Sequence, residues 1–178
     1  EDSPIGPAFV NLYAQTKYAG ERLLADYEGD HCVLRPRAVF GPGDTVLFPR
    51  VLQAARKGML PVITGQGGAV MGDLVYIDTL SDYLLRAALA PRLAPSYNIT
   101  NAQPVDLQAL LHDVLRRLKL PAPARHVKVG TAMKAATAIE RLWRVLCLGG
   151  EPPLTRFGVG VFAYSKTFDP ARAVRDLG

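Results

Sequence analysis

Short apolar runs alternate along the chain with longer amphipathic stretches, and glycine or proline separates them. Residues 11–28 hold Ala14, Gln15, Lys17, Ala19, Glu21, Arg22, Leu23 and Leu24, mostly good helix formers, and predict a helix. "HCVLRP" is a β-branched run stopped by Pro36 and predicts a buried strand. "RAVFGPGD" is a turn-rich loop punctuated by Gly41, Pro42 and Gly43. Residues 46–58 predict a helix ending at Gly58, and "LPVITG" a short strand. The glycine-rich "GQGGAVMG" precedes another strand, "DLVYI". Asp78 is placed to cap a helix through about Ala90, and Asp106 one through about Leu118. "SYNIT" and "RHVKV" read as strands, and residues 131–148 as a long helix. In the closing "SKTFDPARAVRDLG", Asp169 stands as N-cap and Pro170 at the first helical position.

Alternating strands and helices predict an α/β fold with at least partly parallel pairing. The number of elements is short for a complete doubly wound domain. Gly65, Gly67 and Gly68 precede a strand, whereas a dinucleotide fingerprint follows a strand and opens a helix. They are therefore not read as a phosphate loop.

Composition narrows the classes. A length of 178 residues suits one domain, or a domain with an incomplete neighbour, and 49% hydrophobic content suffices for a sizeable core. The formal charge is +5, but the 21 basic residues are scattered, with no basic run and no basic-aromatic interleaving. That argues against a nucleic-acid partner. Cys32 and Cys147 lie far apart, and His31, His112 and His126 have no metal-type spacing. Cys32 sits in an apolar run and reads as a buried thiol in a reducing, cytoplasmic compartment. Tyr76, Tyr97 and Tyr164 read as packing residues. The opening "EDSPIGP" shows no signal peptide and does not look like a natural start.

The candidate chemistry lies in "NLYAQTKYAGERL". Tyr13 and Lys17 are four residues apart, so a helix places them on one face. An ammonium held near a phenol favours the phenolate, which is how a tyrosine exchanges protons near neutral pH. The spacing is equally that of two polar residues on an ordinary helix.

The order of the pieces separates these readings. "YAQTKYAGE", "VLRP", "AVFGPGD", "GDLVYID", "SYNIT" and "FDPARAVRDLG" together resemble the C-terminal part of the extended short-chain dehydrogenase/reductase family, within the NAD-dependent epimerase/dehydratase superfamily. The likeness spans nearly the whole chain. It implies the C-terminal part of a Rossmann-like doubly wound parallel sheet plus a smaller α/β substrate-binding region. Residues 1–60, with a return near 73–92, would belong to the dinucleotide-binding domain, and residues 61–178 mainly to the substrate-binding region. The cofactor would be NAD or NADP. By the same resemblance Tyr13 is the general acid–base, and Lys17 holds the nicotinamide ribose and stabilises the tyrosinate. The backbone at Pro36 and Val39 contacts the nicotinamide, and Arg35 makes a structural ion pair. The glycine fingerprint and the triad Ser or Thr would lie upstream, and Ser3, in the loop before the tyrosine helix, is not that residue. The chain thus looks like the C-terminal half of an enzyme that is a homodimer when full length, and the half alone is expected to be inactive.

Substrate class follows from two further stretches. Many nucleotide-sugar members carry a phosphate-binding arginine where this chain has Gly72, flanked by apolar Ala69, Val70 and Met71. "EPPLTRFGVGVFAYSKTFDPARA" looks like the 3β-hydroxysteroid dehydrogenase branch, whose relatives include reductases of long-chain β-keto acids. The expected activity is interconversion of a secondary alcohol and a ketone on a small apolar substrate: sterol-like, terpenoid or a long-chain β-keto acid. Phe40 and Met71 are the candidate substrate contacts. The alternatives are a nucleotide-sugar epimerase/dehydratase and, in a different class, a non-catalytic NAD(P)-binding interaction protein. Retention of Tyr13 and Lys17 argues against the last. In "TAMKAATAIERLWRVLCL", Ala132, Ala135, Ala136, Ile139, Leu142, Trp143 and Leu146 share one apolar face, and Lys134, Arg141 and Arg144 lie opposite. With Glu140 these make four charges, too many for a membrane span. The helix either covers the substrate cleft or associates peripherally with a membrane through 131–148, with Trp143 dipping into the bilayer.

Overall fold

A computed structural model describes residues 9, 12–46, 48–65, 67–150 and 152–178. Expectations for Ser3, for Asn11 as the helix start, and for residues 47 and 66 lie outside the described residues. In chain order the elements are α1 (Leu12–Leu24), β1 (Val33–Pro36), β2 (Val39–Phe40), α2 (Phe48–Arg56), β3 (Val62–Thr64), β4 (Met71–Gly72), β5 (Val75–Tyr76) and α3 (Ile77–Leu89). There follow β6 (Ser96–Ile99), β7 (Val105–Asp106), α4 (Leu107–Arg117), β8 (His126–Lys128), α5 (Val129–Val145), α6 (Arg156–Ala163) and α7 (Ala171–Leu177). The fold is α/β, as expected. Of the strand pairs, β1–β6, β2–β5 and β3–β8 are parallel and β4–β7 is antiparallel.

The chain divides into two compact units, the first made of residues 1–43, 73–103 and 168–178, the second of 44–72 and 104–167. This division differs from the boundary read at residue 60. The buried Ala55 of α2 packs with Leu111 and Leu115 of α4, which puts α2 in the second unit. Ala173 and Leu177 of α7 join the core of the first unit.

In the first unit β6 is buried at every residue, as befits a parallel strand covered on both faces. Tyr97 and Ile99 share a core with Val75, Ala87, Ala173 and Leu177. The β1–β6 register runs from Val33↔Ser96 to Pro36↔Ile99. Val33, Leu34 and Arg35 are half-buried and Pro36 is exposed, so β1 is less deeply covered than its apolar sequence predicts. Cys32 is also half-buried, packed beside the same core, and burial pushes its thiol pKa up. Proline, without an N–H, ends the strand, and the next N–H, of Arg37, donates to Ile99 O at 3.1 Å.

Two helix starts differ from expectation. β5 runs directly into α3, so the cap position falls on Tyr76, and Asp78 sits in the first turn, where its charge complements the helix dipole. Asp169 Oδ1 does accept the Ala171 N–H at 2.8 Å, but Pro170 takes the cap position and α7 begins at Ala171.

In the second unit Asp106 caps α4 as expected: Oδ1 accepts from the N–H groups of Gln108 at 2.9 Å and Ala109 at 3.1 Å. Gly58, at φ +62°, follows the end of α2 in the left-handed conformation that glycine adopts freely. α6 is unexpected from sequence, since Gly158 and Gly160 disfavour helix by about 1 kcal/mol each. Thr155 Oγ1 caps it through the Gly158 N–H at 3.0 Å, and its Val159 and Ala163 pack with Ala132 and Ala136 of α5 and Ile63 of β3.

One tie in the first unit joins segments far apart in sequence. Asp73 is 3% exposed, and its Oδ2 accepts the Phe168 N–H at 2.6 Å. The Arg37 guanidinium stands over the Phe168 ring, 5.5 Å from its centroid. Burial lowers the Arg37 pKa, and the nearby Asp73 carboxylate raises it in part compensation. Asp73→Ala would leave the Phe168 N–H without its acceptor and Arg37 without its counter-charge. We expect about 2 kcal/mol of lost stability in urea denaturation; a loss below about 0.5 kcal/mol would mean the tie contributes little.

Candidate functional site

α1 carries the candidate pair. None of its described residues is fully buried, so its helical propensity rather than core packing shapes it locally. Tyr13 is 67% exposed, and Lys17 Nζ lies 5.5 Å from the Tyr13 ring centroid. The spacing of four residues therefore delivers one shared face, as expected. The Thr16 hydroxyl donates to the Tyr13 carbonyl at 3.0 Å, a bond local to the helix. Further along, Arg35 Nε on β1 donates to Glu21 Oε2 at 3.2 Å, with a second contact from Nη2 to Oε1. This half-buried ion pair ties α1 to the parallel strand pair, and it is the structural role expected of Arg35.

Pro36 closes β1, and Val39 and Phe40 form β2 three and four residues further on. The chain bends at Ala38, whose φ of 43° is left-handed and costly for a residue with a Cβ. The bend is held on both sides: Arg37 bonds to Ile99, and Val75 N–H donates to Ala38 O at 3.3 Å. β2 then pairs with β5 in the register Val39↔Val75 and Phe40↔Tyr76. The Phe40 and Tyr76 rings meet at 5.4 Å, tilted by 59°. Tyr76 is fixed in turn, its N–H donating to Asn101 Oδ1 at 3.0 Å. Val39 and Phe40 are half-buried, while Pro36 is exposed.

Met71 belongs to the second unit, whereas Tyr13, Lys17, Pro36, Val39 and Phe40 belong to the first. Its backbone is held on both sides: the N–H donates to Ser165 Oγ at 3.0 Å, and the carbonyl accepts from the Lys166 N–H at 2.8 Å. Val70, part of the expected apolar flank, is 2% exposed and so turned into the protein. A Cβ at Gly72 would lie 2.7 Å from Leu107 Cδ1. Leu107 thus occupies the space that a side chain at this position would need. Nearby, the crevice lined by Leu60, Ile63, Leu111 and Phe162 has a volume of about 10 Å³, room for a single water.

Arg37, Asp73 and Asn101 support the loop and were not singled out from sequence. Arg37 and Asp73 stand inside the motifs "RAVFGPGD" and "GDLVYID", and that was the available signal. Among the described residues no group of three His, Cys, Asp or Glu could hold a metal ion. The exposed ammonium and phenol fit the sugar and ring end of a nicotinamide dinucleotide. Lys17 can donate to ribose hydroxyls and, among the described residues, no carboxylate competes for it.

Known proteins resemble this chain in sequence and in fold. The profile of the NAD dependent epimerase/dehydratase family matches residues 1–102. The chain is similar over its whole length to a 2-alkyl-3-oxoalkanoate reductase of Stenotrophomonas maltophilia, at 36% identity and covering 56% of that protein. It is 28% identical to 3beta-hydroxysteroid-dehydrogenase/decarboxylase isoform 1 of Arabidopsis thaliana, covering all of this chain and 44% of that protein. The Bordetella bronchiseptica enzyme WbmH, solved in complex with NAD+, superposes with a TM-score of 0.65 over 99% of this chain and 48% of its own, at 22% identity, and so shares the fold. The chain spans about half the length of the curated relatives it matches. The parallel α/β architecture, the tyrosine–lysine helix and the matching profile lead to one conclusion: this chain belongs to the NAD dependent epimerase/dehydratase family.

Proposed function

We propose that the protein is an NAD(P)-dependent oxidoreductase that interconverts a secondary alcohol and a ketone on an apolar substrate. The observation that carries this reading is the exposed Tyr13–Lys17 pair, with the ammonium 5.5 Å from the phenol ring centroid. The nicotinamide cofactor supplies or accepts the hydride when bound. Tyr13 gives its phenolic proton to the substrate carbonyl oxygen in reduction and takes it back from the alcohol in oxidation. Lys17 donates to ribose hydroxyls and offsets negative charge on the phenolic oxygen. The backbone beyond Pro36, pinned at Ala38, presents Val39 as a fixed wall for the nicotinamide.

Two observations support the apolar substrate. Position 72 is glycine and so lacks the planar phosphate donor of many nucleotide-sugar enzymes, and a Cβ there would meet Leu107 Cδ1 at 2.7 Å, so a longer side chain would have to displace the Leu107 side chain. The 36% identical relative is named for a 3-oxoalkanoate with an alkyl branch, a keto acid of aliphatic character. Phe40 and Met71 are proposed to contact the substrate chain.

In the full-length enzyme, Tyr13→Phe should lower kcat by about 10²–10⁴-fold with cofactor affinity nearly unchanged, since only the phenolic oxygen and its proton are deleted. Turnover within threefold of wild type would remove Tyr13 from the chemistry. Lys17→Ala should weaken NAD(P) binding by about tenfold or more in titration, through loss of charge-assisted hydrogen bonds, as well as slowing turnover. A panel of 3-hydroxysteroids, long-chain 3-oxo acids and nucleotide sugars, followed by nicotinamide absorbance, should show turnover of the apolar ketones or alcohols. Robust turnover of a UDP- or dTDP-sugar would instead establish the epimerase/dehydratase activity.

A further inference from the structure

α5 has two apolar sides, and the protein covers one. Ala132 and Ala136 are buried against Ile63, Val159 and Ala163, with Val129 and Met133 alongside. The second side is a line at spacings of three and four residues: Ala135, Ala138, Leu142 and Val145, with Leu146 beside Leu142. All of it is exposed, Leu142 at 55%, Val145 at 77% and Leu146 at 55%, and Leu148 continues it at 43%. The single apolar face read from sequence is thus split in two. The indole Nε1 of Trp143 is buried, so Trp143 belongs to the covered side and is not the residue that would meet a bilayer.

We infer that this second side of α5 is a docking surface for an anionic membrane. Charge selects this occupant. Lys134 and Arg141 are exposed along one edge of the aliphatic line, and Arg144 is exposed farther round the helix. The one carboxylate of α5, Glu140, is engaged by Arg156, through the backbone N–H at 2.7 Å and Nε at 2.9 Å. The rim is therefore cationic, and anionic headgroups supply the complementary charge. The line itself is aliphatic, the pattern of a helix lying in a membrane interface. No helix among the described residues is long and apolar enough to cross a membrane, so the contact is with one surface. The docking stands independently of the proposed activity, although it would place the enzyme where apolar substrates partition.

Vesicle flotation of the full-length protein tests it at about 0.1 M salt. Vesicles of phosphatidylcholine with one quarter phosphatidylglycerol should carry the protein at least about fivefold better than phosphatidylcholine alone. Leu142→Glu/Val145→Glu should lower binding at least about tenfold, and Lys134→Gln/Arg141→Gln should abolish the anionic preference. These side chains are exposed, so circular dichroism should be unchanged; if the glutamate pair disturbs folding, Leu142→Ser/Val145→Ser serves with the same expected loss. Absence of flotation with anionic vesicles, or equal flotation of the variants, would overturn the inference. So would a dimer in sedimentation that Leu142→Glu/Val145→Glu dissociates in a protein that ignores vesicles, since the occupant would then be a second copy.

Discussion

The first unit is organised around a four-residue strand with no exposed side chain. β6 offers Ser96, Tyr97, Asn98 and Ile99 to the interior. Ile99 alone contributes about 2 kcal/mol by leaving water, but Tyr97 and Asn98 are buried polar groups that need partners. The Tyr97 hydroxyl accepts the Ala94 N–H at 2.6 Å, and Asn98 Nδ2 donates to Asp169 O at 3.3 Å. The second bond draws in the end of the chain, and Ala173 and Leu177 of α7 then close the core. β1 lies alongside β6, and the ion pair Glu21–Arg35 fastens the tyrosine helix to β1. Burial of β6 is thereby passed outward to the residues proposed for chemistry.

Exposure and fixation have to coexist in such a site. In the proposed reaction Tyr13 and Lys17 reach a cofactor and substrate, and α1 buries none of its described residues. Precision comes from its neighbours, through the Glu21–Arg35 pair and the loop at Ala38. A left-handed alanine persists only where surrounding bonds over-determine it. Here they are the Arg37 and Val75 backbone bonds and the Asp73 carboxylate beneath Phe168.

In the second unit the close packing at Gly72 is the feature that bears on the proposed substrate. Gly72 is buried on a two-residue strand, with Leu107 filling the volume beside it. A larger residue here would require the Leu107 side chain to move.

Much was legible in the residues themselves, because it depends on local periods. Tyr13 and Lys17 share a face since helical spacing requires it, Asp106 caps α4 since its carboxylate reaches N–H groups two and three residues on, and the alternation of elements specifies α/β. Motif order carried the family resemblance for the same reason. What sequence could not decide was which partner each surface meets. The apolar face of α5 looked single, yet α6 covers only part of it, and α6 was itself hidden by two glycines that a Thr155 cap and tight packing on Ala132 and Ala136 override. The return of α7 to the first unit, the pairing of Asp73 with Phe168 and the packing of Leu107 over Gly72 join residues far apart in the chain. Such contacts leave no period in a sequence; they exist only once burial has chosen which distant segments lie side by side.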